Sequence, residues 1–208
     1  VMQSMEGFFY QARSNLTGGS APKLQKQWLS KVRVVDVTQP LLAPAISPKV
    51  FQEVSTALYK NLWLNVSYIN RSGKQADYHV MPLGLAQQGS KLYLVCRFEG
   101  YDNERRLALH RIESAEASGL EFTVPEDFSL EQFDADGRFG FGEGKRIRLT
   151  FCIDKEAGYH LLESPLSTDQ SVVERDNCYE ITATVVDSGQ LEWWLNGFGS
   201  NVWGVQKS

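Results

Sequence analysis

Hydrophobic and polar residues alternate along the middle of the chain in the way that half-buried β-strands require. The first such run has an apolar or tyrosine side chain at every second position: Leu62, Leu64, Val66 and Tyr68. Alternate side chains of a strand point to opposite faces, so these four are expected to face a core. A turn at 71–74 containing Gly73 follows and predicts a hairpin. Further strands are predicted at about 76–86, 91–98 and 105–117.

Helical periodicity precedes these strands. Apolar residues recur at helical intervals over about 49–61, which predicts an amphipathic helix: Val50, Val54, Ala57 and Leu58. A shorter helix is predicted from Pro22, with Leu24, Trp28, Leu29 and Val32 on one face. Pro40, Pro44 and Pro48 space out a connector between the two helices.

The last third of the chain alternates strand and helix patterns. The predicted order is a strand over 146–153, a helix over 154–162, a hairpin of 170–175 with 178–186, a helix over 189–197 and a strand over 201–206. This order predicts a ferredoxin-like α/β sandwich. The earlier short strands with tight turns predict a small β-barrel, so the whole chain is assigned to the α+β class.

Composition limits the kind of protein. With 208 residues, 42% hydrophobic and 22% charged, the chain is long enough to bury a core, and one or two domains are expected. No apolar run approaches the roughly 20 residues of a membrane span, so we expect a cytoplasmic protein with no membrane partner. Three cysteines without a Cys-x-x-Cys pair favour buried thiols over a disulfide framework or a zinc site: Cys96, Cys152 and Cys178.

Sequence motifs for catalysis are weak. His79, His110 and His160 lack metal-ligand spacing, so no metal, cofactor or catalytic residue is predicted. The glycine-rich segment 137–145 is not a phosphate-binding loop, because Phe139 replaces the first required glycine and Arg146 the required hydroxyl residue. We interpret the segment 126–144 as a linker, and a binding role is favoured over an enzyme.

Charge is distributed without a strongly basic segment. The formal net charge is −4, which argues against a chain that grips duplex DNA by charge alone. Four arginines nevertheless fall close together: Arg97, Arg105, Arg106 and Arg111. They are compatible with surface ion pairs to neighbouring acidic residues, or with a local site for an anionic ligand.

The order of motifs between Met81 and Ile112 resembles that of a WYL domain. Met-Pro-Leu-Gly-Leu precedes a glycine turn, Leu92-Tyr93-Leu94 stands where the family has Trp-Tyr-Leu, and an arginine-bearing strand closes with Arg-Ile. The segment 146–151, followed by Leu-Glu-Trp-Trp-Leu-Asn-Gly-Phe-Gly at 191–199, is similar to the WCX extension that usually follows WYL. The resemblance covers roughly 49–208 and implies an SH3-like or Sm-like barrel, then the WCX sandwich.

The resemblance also implies a function. WYL domains are effector-sensing modules of bacterial transcriptional regulators, with a groove for a short single-stranded nucleic acid or a nucleotide. The matching positions are Tyr68, Tyr93, Arg105 and Arg111, with Arg97 just beyond the motif. His79 is added because Tyr78, next to it, replaces a family arginine. Arginine with tyrosine suits a phosphate and a stacked base. The alternative is an accessory domain of a nucleic-acid-processing enzyme.

The residue patterns and the family resemblance together predict the domain organisation. We predict an N-terminal connector or dimerisation segment over 1–48, the WYL domain over 49–125, the linker over 126–144 and the WCX domain over 145–208. A winged helix-turn-helix, through which such regulators bind duplex DNA, is expected upstream of this sequence. We expect a homodimer. Trp193 and Trp194 are adjacent on a predicted helix, so one is expected in the core and the other at an interface.

Overall fold

The computed structural model describes residues 39–208, which form two compact units. The first unit ends at Glu126 and the second begins at Asp127. The helix predicted from Pro22 and the aromatic segment 8–10 lie outside the described residues. Helices and strands are therefore numbered from residue 39 onward.

The first unit is one helix on a five-stranded antiparallel sheet. Its elements are α1 (Pro48–Lys60), β1 (Leu62–Ile69), β2 (Gln75–Gln88), β3 (Lys91–Phe98), β4 (Glu104–Ala108) and β5 (Ile112–Glu121). The strand order is β4-β3-β2-β1-β5. Within residues 39–208 no pairing joins β4 to β5, so the expected small barrel is an open sheet with two edges. The predicted α+β class is confirmed.

The prediction of a single strand over 105–117 is wrong. The chain leaves β4 at Ala108, makes a short 3-10 turn at Leu109–Arg111 and continues as β5. The 3-10 turn breaks the two-residue alternation, and β5 then pairs with β1 at the opposite edge of the sheet from β4. One continuous segment of the chain therefore supplies both edge strands.

Helix α1 closes one face of this sheet. Pro48 occupies the first helical turn, where its missing N–H costs no hydrogen bond, and Asn61 ends the helix in a left-handed conformation with φ 51°. The buried face of the helix carries Val50, Val54 and Ala57, as predicted. These side chains pack on alternate residues of the strands, among them Leu64, Val66, Tyr68, Val80, Leu94, Cys96, Leu107 and Ala115.

The second unit has the element order of a ferredoxin-like sandwich. It comprises α2 (Leu130–Ala135), β6 (Arg146–Asp154), α3 (Lys155–Gly158), α4 (His160–Glu163), β7 (Ser171–Glu174), β8 (Cys178–Val186), α5 (Gly189–Gly197) and β9 (Val202–Lys207). The antiparallel sheet has the order β7-β8-β6-β9. The split strand–helix–strand arrangement agrees with the sequence prediction. The segment predicted as a linker contains α2, with Phe133 buried.

The core of the second unit lies on one face of this sheet. Leu149, Phe151, Ile153 and Ile181 are fully buried there. Trp194 joins this core through edge-on contacts with Phe151 and Phe198, whereas Trp193 is 64% exposed. The two adjacent tryptophans therefore point to different surroundings, as the sequence predicts. None of the helices within 39–208 is long and apolar enough to cross a membrane.

Asp169 fastens the loop before β7 to the sheet. Its carboxylate accepts hydrogen bonds from the Ser167 hydroxyl at 2.5 Å, from the Thr184 hydroxyl at 2.6 Å and from the Thr184 backbone N–H at 3.1 Å. Arg148 Nη1 donates to the same carboxylate at 2.6 Å. The hydrogen bonds from Ser167 and Thr184, and then the charge of Arg148, hold the pKa of Asp169 well below its usual range.

We predict that Asp169→Asn lowers the melting temperature of the chain at neutral pH. A carboxylate with a lowered pKa stabilises the fold above its ordinary pKa near 4, and this contribution is lost as the pH falls further. The difference from wild type, followed by circular dichroism, should therefore be full at pH 7 and shrink below about pH 4. Asp176→Asn, in the exposed β7–β8 turn, is the control. A difference in melting temperature that does not change with pH would contradict a stabilising role for the ionised Asp169 carboxylate.

Candidate functional site

The face of the first sheet opposite α1 carries most of its polar side chains. Directly opposed residues of an antiparallel pair share a face, so the register defines this set. Asn65 opposes His79 and Glu116, and Ser67 opposes Asp77 and Ser114. At the other end of the same face, Arg97 opposes Met81 and Glu104. We call this surface the far face, because α1 packs on the other one.

Arg97 is held by an ion pair on the far face. Its Nε and Nη2 donate to Glu104 Oε1 at 2.9 and 2.6 Å. The two side chains are only 13% and 16% exposed. A guanidinium so placed has its charge largely balanced by Glu104. A ligand phosphate at Arg97 would therefore have to compete with this carboxylate.

Arg105 lies on the opposite side of the sheet from Arg97. It opposes Cys96, which belongs to the core covered by α1. Its guanidinium carbon lies 4.7 Å from the centre of the Phe98 ring and 4.5 Å from that of Tyr101. Burial raises the pKa of the neighbouring Cys96 thiol to about 12, against the opposing effect of Arg105. Arg105 therefore does not join Arg97 in one groove.

The two predicted tyrosines are also separated. Tyr68 is 8% exposed within the core, where its hydroxyl oxygen accepts a hydrogen bond from the Ala108 N–H at 3.4 Å. Tyr93 is half-buried and opposes Ala86 and Ala108 on the far face. Tyr68 thus has a structural contact, and Tyr93 is the tyrosine that shares a face with Arg97.

Arg111 ends the 3-10 turn and has basic neighbours. Burial, followed by the charges of Arg111 and Lys91, lowers the pKa of His110. The His110 Nδ1 atom is buried without a hydrogen-bond partner. The three predicted arginines therefore occupy three different environments: an ion pair, an aromatic sandwich and a basic turn.

His79 occupies the centre of the far face. Its Nδ1 lies 3.2 Å from Glu99 Oε2, and its ring stacks on Trp63 with a centroid distance of 4.7 Å. Trp63 in turn contacts Phe122 edge-on at 6.2 Å. His79 is on the same face as Arg97, one strand away, because Met81 opposes Arg97 and lies two residues after His79.

A surface cleft of about 690 Å³ opens beside His79. Volumes of this order accommodate small molecules. Carboxylates predominate over cations in its lining, which consists of Lys49, Glu53, Asn65, Val66, Ser67, Asp77, Tyr78, His79, Ser114, Ala115 and Glu116. The Glu53 carboxylate accepts a hydrogen bond from the Ala117 N–H at 3.1 Å, on the edge strand β5. Among the predicted site residues, His79 alone lines this cleft.

Sequence reasoning missed most of the cleft residues. Asn65, Ser67, Ser114 and Glu116 are the polar partners of the alternating pattern in β1 and β5, and that pattern was the available signal. Lys49 and Glu53 come from α1, so only the packing of the helix brings them to the sheet. Within the part of the chain that the structure describes, no group of three or more His, Cys, Asp or Glu residues could hold a metal ion.

Comparison with known families identifies the first unit. Residues 49–117 match the family model of the WYL domain, a match that spans α1 and the sheet as far as β5. The WYL resemblance inferred from the motifs between Met81 and Ile112 is therefore confirmed for residues 49–117. The match does not extend into the second unit.

Solved structures give weaker similarities. Proteasome accessory factor B/C (PafBC) of Arthrobacter aurescens is 21% identical, with a TM-score of 0.41 over 86% of this chain and 28% of that one. A CRISPR Cas-related protein is 13% identical, with a TM-score of 0.43 over 74% of this chain and 45% of that one. The chain thus spans less than half the length of either. No curated protein sequence matches it.

We predict that Arg97 and Glu104 stabilise the first unit as a coupled pair. In a double-mutant cycle with Arg97→Met and Glu104→Met, the coupling free energy from urea unfolding should be about 1–2 kcal/mol. Each single variant should lose more than the pair is worth, because it leaves one half-buried charge without its partner. A matched cycle on the more exposed pair Arg175 and Glu180 should give a smaller coupling. Equal coupling free energies in the two cycles would contradict a stabilising role for the Arg97–Glu104 pair.

Proposed function

We propose that this chain is the effector-sensing part of a transcriptional regulator and binds a nucleotide, or the end of a short single strand, in the cleft beside His79 of its WYL domain. The observation that carries the proposal is the cleft beside His79, which lies within the residues that match the family model. The role is one of binding, with the ligand changing what the rest of a longer protein does.

The chemistry of the cleft supports a nucleotide with few phosphates. Asp77 and Glu116 offer carboxylate oxygens that can accept hydrogen bonds from sugar hydroxyls or from base amino groups. The stacked Trp63–His79 pair provides an aromatic surface beside them. Lys49 supplies a positive charge in the cleft, with Arg97 on the adjacent strand beyond His79. A long polyanion would meet too few cations here.

The positions of the arginines in the structure reduce the set of residues that the sequence predicted for the ligand site. Tyr93 and Arg97 share the far face with His79 but do not line the cleft, so they can contact only a ligand that extends beyond it. Arg105 and Tyr68 face the core side and are assigned structural contacts instead. Arg111 lies with His110 on the 3-10 turn, near Lys91 of β3, and is not part of the proposed cleft.

We expect labelled mononucleotides and short oligothymidylates to bind the full chain at low salt, measured by fluorescence anisotropy. Lys49→Ala should weaken binding about tenfold, which corresponds to about 1.4 kcal/mol. It should also reduce the salt dependence by about one phosphate contact, a slope change of roughly 0.7 to 0.9. Lys60→Ala, at the other end of the same helix, is the matched control and should bind like wild type.

A second pair of variants tests the choice of face. Arg97→Ala should weaken nucleotide binding, whereas Arg105→Ala should change it by less than about twofold, a free-energy difference under about 0.5 kcal/mol. Melting temperatures are recorded for both variants, so that unfolding is not mistaken for lost binding. No binding of any nucleotide at low salt, or equal losses in both variants, would contradict the proposal.

We also propose that the chain forms a homodimer. An exposed aromatic pair in the second unit supports this: Phe141 is 53% exposed, Trp193 is 64% exposed, and their rings meet edge-on at 5.5 Å. Phe141 has a left-handed φ of 64°, which costs roughly 1–2 kcal/mol for a residue with a side chain. Aromatic side chains are enriched at protein interfaces, and a two-fold contact would bury this pair on both copies.

If Trp193 lies at the dimer interface, removing its ring should weaken the dimer. Wild type should elute as a dimer in size exclusion with light scattering at tens of micromolar, and Trp193→Ser should shift it towards monomer. Tyr59→Ser, which removes an 89% exposed aromatic from α1, should leave the mass unchanged. A wild type that is strictly monomeric at these concentrations would rule out dimerisation through this chain.

A further inference from the structure

Two of the three cysteines meet on one face of the second sheet. Strands β6 and β8 are its two central strands, and their register places Cys152 opposite Glu180 and Cys178 opposite Asp154. Cys152 and Cys178 are therefore diagonal neighbours on the same face. The other face carries the core residues Phe151, Ile153 and Ile181. Sequence spacing could not show this pairing, because 25 positions separate the two thiols in the chain.

Both cysteines are free thiols with different access to solvent. Cys178 is 6% exposed, whereas Cys152 is half-buried. Burial, followed by the neighbouring Cys178, raises the pKa of Cys152. The Cys152 thiol is thus protonated at neutral pH and reacts slowly with oxidants, since the thiolate is the reactive form.

Strand geometry disfavours a disulfide between them. Diagonal neighbours on adjacent strands have Cα atoms about 7–8 Å apart, and a disulfide requires roughly 4.4–6.8 Å. Each of the two strands is hydrogen-bonded on both sides, β8 to β7 and β6 and β6 to β8 and β9, so neither can move freely towards the other. Both thiols are free in the structure, in agreement with this geometry.

A metal ion bound between two sulfur atoms requires a longer sulfur–sulfur distance than a disulfide bond does. Two metal–sulfur bonds of about 2.3 Å in a linear arrangement place the sulfurs about 4.6 Å apart. The Cys152 and Cys178 side chains are within hydrogen-bonding reach of each other, so their sulfurs already face the same space between the two strands. Thiolates are soft ligands and select soft ions such as Cu(I). Within residues 39–208 there is no cluster of three or more ligating side chains, so a four-coordinate ion such as Zn²⁺ is not favoured.

We propose that Cys152 and Cys178 form a two-thiolate site for a soft monovalent metal ion of the Cu(I) type. Binding converts two thiols and one M⁺ into a bis-thiolate complex with one net negative charge and releases two protons. Glu180, opposite Cys152, opposes the anionic complex, and Arg175, in an ion pair with Glu180 at 3.1 Å, partly offsets this effect. The site is distinct from the proposed nucleotide cleft, because it lies in the other unit.

The test uses the full chain with Cu(I) in competition with a chromophoric Cu(I) chelator, and with Ag⁺ in native mass spectrometry. Wild type should take up one ion, seen after charge-state deconvolution as a mass increase of one metal less one hydrogen. Cys152→Ser should lose at least tenfold in affinity, and its half-exposed position keeps the fold intact by circular dichroism. Cys96→Ala, in the core of the first unit, should bind like wild type.

Two results would overturn the proposal. One is undiminished Cu(I) and Ag⁺ binding in Cys152→Ser, which would place the metal elsewhere. The other is an intact mass two hydrogens lower after exposure to air, with the Cys152 and Cys178 thiols both lost, which would show that they bond to each other. If Cys178→Ser folds, it should lose binding to the same extent as Cys152→Ser, and retained binding would also reject the site.

Discussion

The register of β3 against β4 determines where the charges of the WYL domain lie. Side chains of a strand alternate between two faces, so a pairing that places Arg97 opposite Glu104 also places Arg105 opposite Cys96. One arginine then shares the far face with a carboxylate, and the other lies on the core side between Phe98 and Tyr101. A slip of one residue would exchange these positions and move Leu107 out of the core.

This arrangement has an electrostatic consequence for ligand binding. Arginines that converge on one surface bind several phosphates together, and each contact adds to the salt dependence. Here the guanidinium groups of Arg97 and Arg105 are separated by the sheet, and the cleft beside His79 has more carboxylates than cations. This distribution of charge supports the proposed ligand, a nucleotide recognised through hydroxyl and amino groups with one phosphate near Lys49 or Arg97, over an extended strand.

Much of the fold could be predicted from the sequence, because its signals are local. The alternation of Leu64, Val66 and Tyr68 gave β1 and its buried face, and Asn70 with Gly73 formed the predicted hairpin turn through hydrogen bonds from the Ser72 and Lys74 N–H groups. In the second unit, the order of strands and helices was sufficient to predict the ferredoxin-like sheet.

The candidate site was less predictable, because it depends on pairing across the sheet. Alternation between 105 and 112 was ambiguous, and the 3-10 turn at Leu109–Arg111 resolved it by removing Arg111 from the strand. The resemblance to the family supplied residue types without their partners, so Tyr68 was expected at a ligand and is found in the core. Lys49 and Cys178 acquire their neighbours only through packing and register, which no local pattern encodes.

The most direct measurement observes the signals of individual arginine side chains while a mononucleotide is titrated into the protein. Nuclear magnetic resonance of the arginine Nε–Hε groups, assigned by substitution, reports each guanidinium separately while a mononucleotide is added. Binding on the far face predicts that the Arg97 signal shifts with the ligand concentration and that the Arg105 signal, between its two aromatic rings, stays in place. A shift confined to Arg105, with Arg97 unchanged, would contradict the account.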